Sequence, residues 1–305
     1  TELGIVDVNK YIEDARINLP AGTNSSKVLT AEEELDALVG LDSVKRMVKK
    51  IKAFAKKNKN EPNFNMHMCF YGNPGTGKTE VARILSSILY DAGVLAEAKL
   101  VETDSHGLIG KYVGETAPKT QAKISDAMGG VLFIDEAYGL TNSGGASTQS
   151  YGDEAIEVLL KNMEDHRGRF CAILAGYKNE MKSMISSNPG LESRIQFTLE
   201  FPDYSREELG QIAIKFLEKK KYSIDSSALE LFLDITEYYR NRDNFANART
   251  VRNILDQVIM NQNLRTEDDE NDDGTIVKSD VEDYLSDEGI NLNDKSGGTH
   301  RIGFM

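Results

Sequence analysis

The stretch from Gly72 to Thr79 reads Gly-Asn-Pro-Gly-Thr-Gly-Lys-Thr, the pattern G-x-x-x-x-G-K-[ST], and it constrains the fold more than any other feature of the chain. It follows an apolar run, Met66 to Tyr71, and opens a helical pattern at Lys78, the strand, loop and helix context that the pattern requires. Glycines let the backbone curl until its N–H groups converge, and the helix that follows aims the positive end of its dipole at the same point. Such a loop cradles phosphate. Lys78 is placed to reach the terminal phosphates of ATP and Thr79 to set its hydroxyl on Mg2+, with Asn73, Pro74, Gly75, Thr76, Gly77 and Glu80 completing the cradle. Average composition yields such a string in about one chain in a hundred of this length, before the flanking strand and helix are required.

Along the chain, short apolar runs alternate with helical patterns. Strands are expected at Met66 to Tyr71, Lys99 to Glu102, Gly130 to Asp135, Phe170 to Ala175 and Ile195 to Phe201. Helices are expected from Lys78, Ala117 and Asp153 and near Glu180. Alternation of this kind predicts an α/β fold, a parallel sheet flanked by helices. Val131 to Ile134 and Cys171 to Leu174 are continuously apolar, as central strands covered on both faces must be. After Phe201-Pro202-Asp203-Tyr204 the strand signals stop. Helices then follow at about 205 to 219, 226 to 240 and 246 to 263, and a short one at Val281 to Ser286, which predict a smaller all-α lid domain. The expected organisation is an amino-terminal arm over 1–33, a nucleotide-binding domain over 34–203, a helical lid over 204–288 and a tail over 289–305, with a hinge at Asp203 and Tyr204. The acidic run Glu267 to Gly274 has no apolar pattern and is expected as a solvated, mobile loop; it lacks the ligand alternation and closing Glu of a calcium loop.

Composition narrows the partners. With 36 Lys and Arg against 49 Asp and Glu, the net charge of −13 disfavours nonspecific attraction to nucleic acid or anionic lipid, so a protein partner fits better. The lysines and Arg46 of the amphipathic stretch after Asp42 could form a nucleic-acid face, but a solvated face suits the acidic total. No apolar stretch reaches the roughly 18 residues that suggest a membrane span, and the chain is read as cytosolic. The chain opens on Thr1, which is what a processed protein or an excised piece of a longer one would show. Cys69 and Cys171 sit in apolar runs and are expected as buried reduced thiols. His67, His106, His166 and His300 show no ligand spacing and are read as structural.

A second chemical element is Val131 to Glu136, an apolar strand closing on two carboxylates at its carboxyl end, where open α/β sheets bind ligands. Asp135 can hold Mg2+, and Glu136 can polarise a water for attack on the γ-phosphate. Without the phosphate loop the pair would read as a mere strand end. With it, hydrolysis to water is favoured over a small-molecule kinase.

Phosphate loop, acidic strand and helical second domain together resemble an AAA+ ATPase. The segments Glu34 to Leu41, Gly114 to Thr120, Gly129 to Tyr138 and Phe245 to Asn253 resemble the clade that contains red-type rubisco activase of the CbbX type, stage V sporulation protein K and the ATPase of type VII secretion. The likeness covers about residues 34 to 264.

The resemblance implies a ring, commonly a hexamer, with ATP between subunits. It makes Arg194, in Asn188 to Ile195, the arginine that a neighbour contributes. Arg249 matches the second sensor, with Arg252 one turn later as the alternative, while Leu38, Val39 and Gly40 match the adenine-pocket segment. The residue after the fourth strand that is often Asn in the family falls here at Gly176 and Tyr177, and Tyr177 could donate a hydrogen bond instead. Tyr112, Val113 and Gly114 match a loop facing the central pore, where apolar contact would grip an extended client. The implied function is remodelling or partial threading of a protein client, whose identity these residues leave open. An ATP-gated scaffold or assembly adaptor that does not thread is the alternative.

Overall fold

The computed structural model describes residues 29–61, 64–141, 146–242, 245–269 and 272–292. Most of the arm and tail expected from the sequence lie outside these residues. The described residues fall into two compact units, one over Leu29–Asp203 and one beginning at Tyr204.

In chain order the first unit contains α1 (Ala31–Asp36), α2 (Asp42–Asn58), β1 (His67–Gly72), α3 (Lys78–Asp91), β2 (Leu100–Asp104), α4 (Ser105–Leu108) and α5 (Thr116–Asp126). There follow β3 (Val131–Asp135), a 3-10 turn (Ala137–Leu140), α6 (Ala146–Asp165), β4 (Cys171–Gly176), α7 (Lys178–Ser187), α8 (Pro189–Arg194) and β5 (Ile195–Phe201). The five strands pair in the order β2-β3-β4-β1-β5, and every pairing is parallel. Alternate residues of the central strands are buried on opposite faces: Met68, Phe70, Phe133 and Ile173 on one, Cys69, Leu132, Ile134, Ala172 and Leu174 on the other. Burial on both faces explains why these strands read as unbroken apolar runs. Because the strands are parallel, the carboxyl ends of β1, β3 and β4 share one edge of the sheet, where Gly72, Asp135 and Gly176 lie.

Helix α1 crosses the boundary expected at 33/34. Its start is fixed by a capping box, in which Glu33 N–H donates to Thr30 Oγ1 and Thr30 N–H donates to Glu33 Oε2 at 2.8 Å. Helix α2 buries Val44, Val48, Ile51 and Ala55. Its lysines are partly committed within the unit, since Lys49 pairs with Asp36 at 2.8 Å and Lys52 pairs with Glu32. Both cysteines are buried free thiols, and Cys171 Sγ donates to the Met66 carbonyl at 2.9 Å. Burial pushes the Cys69 thiol up to about 12 and Cys171 higher still, so neither is a thiolate near neutral pH.

The second unit contains α9 (Arg206–Lys220), β6 (Ser223–Ile224), α10 (Ser226–Arg240), α11 (Ala248–Arg265), β7 (Thr275–Ile276) and α12 (Lys278–Asp287). It is helical, with one addition that the sequence reading lacks: β6 and β7 form a parallel pair of two residues each, too short to show a strand period. The described acidic residues of the run are exposed, as expected, and Asp272 is anchored in addition: it accepts from buried Gln262 Nε2 at 2.8 and 2.9 Å, from Thr266 Oγ1 and from Gly274 N–H, which ties that part of the run to α11. Asp280 is fully buried and accepts from Arg265 at 2.6 and 3.1 Å and from Val277 N–H at 2.9 Å. Among the described residues no helix is long and apolar enough to cross a membrane.

Candidate functional site

The loop between β1 and α3 has the geometry its glycines predict. Gly75 and Gly77 take φ of 71° and 92°, left-handed values that turn the backbone inward ahead of α3. Gly72 is required for a different reason: a Cβ there would stand 2.6 Å from the Phe201 carbonyl oxygen on the paired strand β5. Lys78 is buried, and its Nζ donates to the Gly72 and Asn73 carbonyls at 2.8 and 2.9 Å, which holds the cation inside the loop. Buried Thr76 donates to the Asn73 carbonyl at 2.8 Å. Thr79 is half-buried on the first turn of α3, and Glu80 is exposed beside it. A left-handed glycine turn, a helix amino terminus and an ammonium group thus lie together in one loop, a combination suited in type to a polyphosphate.

Strand β3 carries Asp135, half-buried, and then Glu136, exposed and left-handed at φ 47°. Asp135 Oδ1 accepts from Glu136 N–H at 3.0 Å, which fixes the turn that presents both carboxylates at the sheet edge. Hard oxygen ligands of this kind, with the Thr79 hydroxyl, suit Mg2+ in donor type. Beyond β4, Tyr177 is 37% exposed and its ring lies 5.9 Å from that of Tyr138. Burial, then the charge of Glu136, pushes Tyr138 up to about 12, so its hydroxyl remains a neutral donor.

Leu38, Val39 and Gly40 form the connection from α1 to α2. Val39 is buried, and Gly40 and Leu41 are both left-handed at φ 55° and 59°. Lys45 closes this turn from α2 by donating to the Leu38 carbonyl at 2.6 Å and the Asp36 carbonyl at 3.2 Å.

Tyr112 and Val113 are 71% and 87% exposed on the turn between α4 and α5. The turn beneath them is braced. Glu115 Oε2 accepts from Lys111 N–H and Tyr112 N–H at 3.0 and 3.2 Å, Gly110 N–H donates to buried Thr116 Oγ1 at 3.0 Å, and Gly114 takes φ 83°. Two large side chains are therefore held out from a fixed base. Arg194 ends α8. Its Nη2 pairs with Glu164 Oε2 at 3.0 Å and its Nη1 donates to the Gly190 carbonyl at 3.1 Å, while Glu164 also binds Arg167 at 2.5 Å.

In the second unit Arg249 is exposed on the first turn of α11, and Arg252 packs over the Phe216 ring at 5.7 Å. Four functional-looking contacts escaped the sequence reading: Lys45 on the Leu38 turn, Glu115 under Tyr112, Glu164 on Arg194, and Asp203 on the phosphate loop. Asn73 Nδ2 donates to both Asp203 oxygens at 3.0 Å across 130 residues, a spacing no local pattern reports. Only Glu115, three and four residues from the N–H groups that it accepts, left a legible signal.

Comparison with known proteins agrees with the fold. The model of the ATPase family associated with various cellular activities (AAA) matches residues 68–203, and an AAA lid domain model matches residues 205–289. The chain is 40% identical over 258 residues to a "Protein CfxQ homolog" of Galdieria sulphuraria, covering 82% of this chain and 84% of that one. It is 39% identical to stage V sporulation protein K of Bacillus subtilis, covering 77% and 75% of the two chains. To a chloroplastic ribulose bisphosphate carboxylase/oxygenase activase of Cyanidioschyzon merolae it is 40% identical, covering 81% and 86%. Among solved structures, a mutant of Thermotoga maritima RuvB superposes with a TM-score of 0.62 over 85% of this chain and 74% of that one at 19% identity, a likeness of fold.

Proposed function

This chain belongs to the AAA ATPase family, in the group holding the CfxQ proteins and stage V sporulation protein K, and from that premise we propose a Mg2+-dependent ATPase that works as a homo-oligomeric ring on a protein client. The observation that carries the reading is the pairing of a phosphate loop closed around buried Lys78 with Asp135 and Glu136 on the same sheet edge. Loop N–H groups and Lys78 bind the phosphates. Glu136 takes a proton from the attacking water as its oxygen bonds to the γ-phosphorus and the bond to the β-bridging oxygen breaks. Thr79 and Asp135 would hold Mg2+, which when bound neutralises phosphate charge.

Leu38, Val39 and Gly40 line the adenine side, and Arg249, with Arg252 as the alternative, answers the γ-phosphate from the second unit. Arg194 reaches a neighbouring subunit's nucleotide, so assembly raises turnover by about 10³. The client is an extended polypeptide gripped by Tyr112 and Val113, whose exposure on a braced turn supports that role. The setting is cytosolic. The domain limits follow the same reading: a nucleotide-binding domain to Asp203, a lid to 288 and tails at either end.

The test is phosphate release from ATP over a range of protein concentrations, with Glu136→Gln and Arg194→Ala beside the parent. Turnover per subunit should rise as rings assemble, and both variants should bind ATP while turning over little. Turnover independent of concentration and indifferent to Arg194 would leave a monomeric nucleotide switch. Tyr112→Ala should hydrolyse ATP yet lose client remodelling; full activity in that variant would favour an ATP-gated scaffold.

A further inference from the structure

Asp203 and Tyr204 are consecutive residues, yet each is fastened within a different unit. The Asp203 carboxylate accepts from Asn73 Nδ2 at 3.0 Å through both oxygens, which ties the last residue of the sheet unit to the phosphate loop. One residue later, Tyr204 N–H donates to Asn247 Oδ1 at 3.0 Å, the Tyr204 carbonyl accepts from Arg240 Nη2 at 2.7 Å, and the Tyr204 side chain is buried.

Asn247 is fully buried and sits at φ 48°, ψ −125°, a conformation that a residue with a Cβ adopts only when its surroundings over-determine it. Glycine would take that backbone more easily, but it has no amide oxygen to receive Tyr204 N–H. The position therefore keeps a strained backbone together with the side chain that clamps Tyr204. Asn247 is also the residue before α11, two positions ahead of Arg249.

With Tyr204 N–H and carbonyl held by the second unit, the chain enters that unit directly from Asp203, the residue whose side chain holds Asn73. The Asn73 carbonyl in turn accepts from Lys78 Nζ at 2.9 Å and from Thr76 Oγ1 at 2.8 Å. A phosphate that draws Lys78 away from this carbonyl changes the pull on Asn73, and through it on Asp203.

We propose that Asp203 is a positioning residue that passes the state of the phosphate loop to the second unit, with Asn247 as its receiving clamp and the start of α11 as the element moved. This inference rests on the nucleotide reading above. It assigns Asn73 a second duty: one face of the residue lines the phosphate loop, and its side-chain amide reports on that loop. The bond is exposed, so its loss should weaken coupling severalfold without abolishing nucleotide binding.

The experiment places spin labels on the full chain through Lys57→Cys and Glu230→Cys, both exposed, against the buried native Cys69 and Cys171. The distance distribution between the labels is measured with and without saturating ADP, alongside ADP affinity and ATP turnover. The parent should shift with ADP. Asp203→Ala should lose most of that shift and lose about fivefold or more in turnover, with ADP affinity within about threefold of the parent. Asn73→Asp, which sets two carboxylates together, should abolish the shift at saturating ADP. The exchange Asn73→Asp with Asp203→Asn, which reverses donor and acceptor, should restore it, a rescue that general destabilisation cannot produce.

Asp203→Ala with the parent's shift and turnover overturns the proposal, as does an exchange variant no better than Asn73→Asp alone. A parent that binds ADP without any shift overturns the proposal and leaves the nucleotide reading standing. A parent that binds no ADP sinks both.

Discussion

His67 lies at the amino end of β1, opposite Ile195 of β5 and next in register to the candidate finger Arg194, and it offers a pH measurement whose size follows from its burial. The ring is fully enclosed. Its Nδ1 accepts from Ala172 N–H at 3.0 Å, which requires the neutral tautomer, and it packs against Phe170 at 5.3 Å. Burial lowers its pKa to about 4; the Met163 backbone raises it somewhat, although Nε2 finds no partner of full hydrogen-bond geometry, and the charge of Arg194 lowers it.

In the unfolded chain the imidazole takes a proton near its ordinary pKa of about 6.5, whereas the folded chain resists until about 4. The contribution is therefore fully present above about pH 6.5 and is lost as the pH falls through the folded value. Linkage gives a loss of about 1 kcal/mol by pH ~5.5 and about 2–3 kcal/mol by pH ~4.5, approaching about 3 kcal/mol below pH ~4. Urea unfolding of the parent and of His67→Gln, which keeps an acceptor oxygen for Ala172 N–H, isolates this residue from the carboxylates that titrate in both proteins. The parent's stability should fall more steeply with acid, by those differences. A stability gap that stays flat from about pH 7.5 to 4.5, or a His67 proton resonance titrating above about pH 6, would mean that burial does not hold the ring neutral in the folded chain.

Gly72→Ala should lose about 1–3 kcal/mol in urea unfolding, because its new methyl meets the rigid Phe201 carbonyl of β5; a neutral result would mean that β1 and β5 are free to separate there. Thr116→Val removes the buried acceptor of Gly110 N–H and should cost about 1–3 kcal/mol, whereas Tyr112→Ala should change stability by less than about 0.5 kcal/mol, with thermal unfolding as the readout for both. Asp280→Ala should destabilise the second unit by about 2 kcal/mol, below the usual cost of breaking a buried pair because Arg265 is 37% exposed and can be rehydrated; hydrogen exchange in α11 and α12 would locate the loss.

The composition of short segments was enough to specify much of this protein. A glycine-rich loop between an apolar run and a helical pattern admits one local geometry, and Gly75 and Gly77 take the left-handed torsions that it demands. Apolar runs without alternation imply strands covered on both faces, and the parallel sheet follows from their interleaving with helices. Asp135 and Glu136 were legible for the same reason: a carboxylate pair closing a buried strand falls at the sheet edge where ligands bind. These are short-range facts, set by torsions and by side-chain period.

What the sequence left undetermined is what depends on residues far apart in the chain. That Lys49 and Lys52 answer Asp36 and Glu32, that Glu164 holds Arg194, and that Asp272 is tied to α11 are matters of which surfaces meet, and no period in the sequence encodes them. The two-residue strands β6 and β7 exist only because their partners lie alongside. Asp203 shows the difference most clearly. As a residue it marked the end of a sheet and the start of helices, but its hold on Asn73 arises only when β5 is laid beside β1, which brings the two to the same end of the sheet.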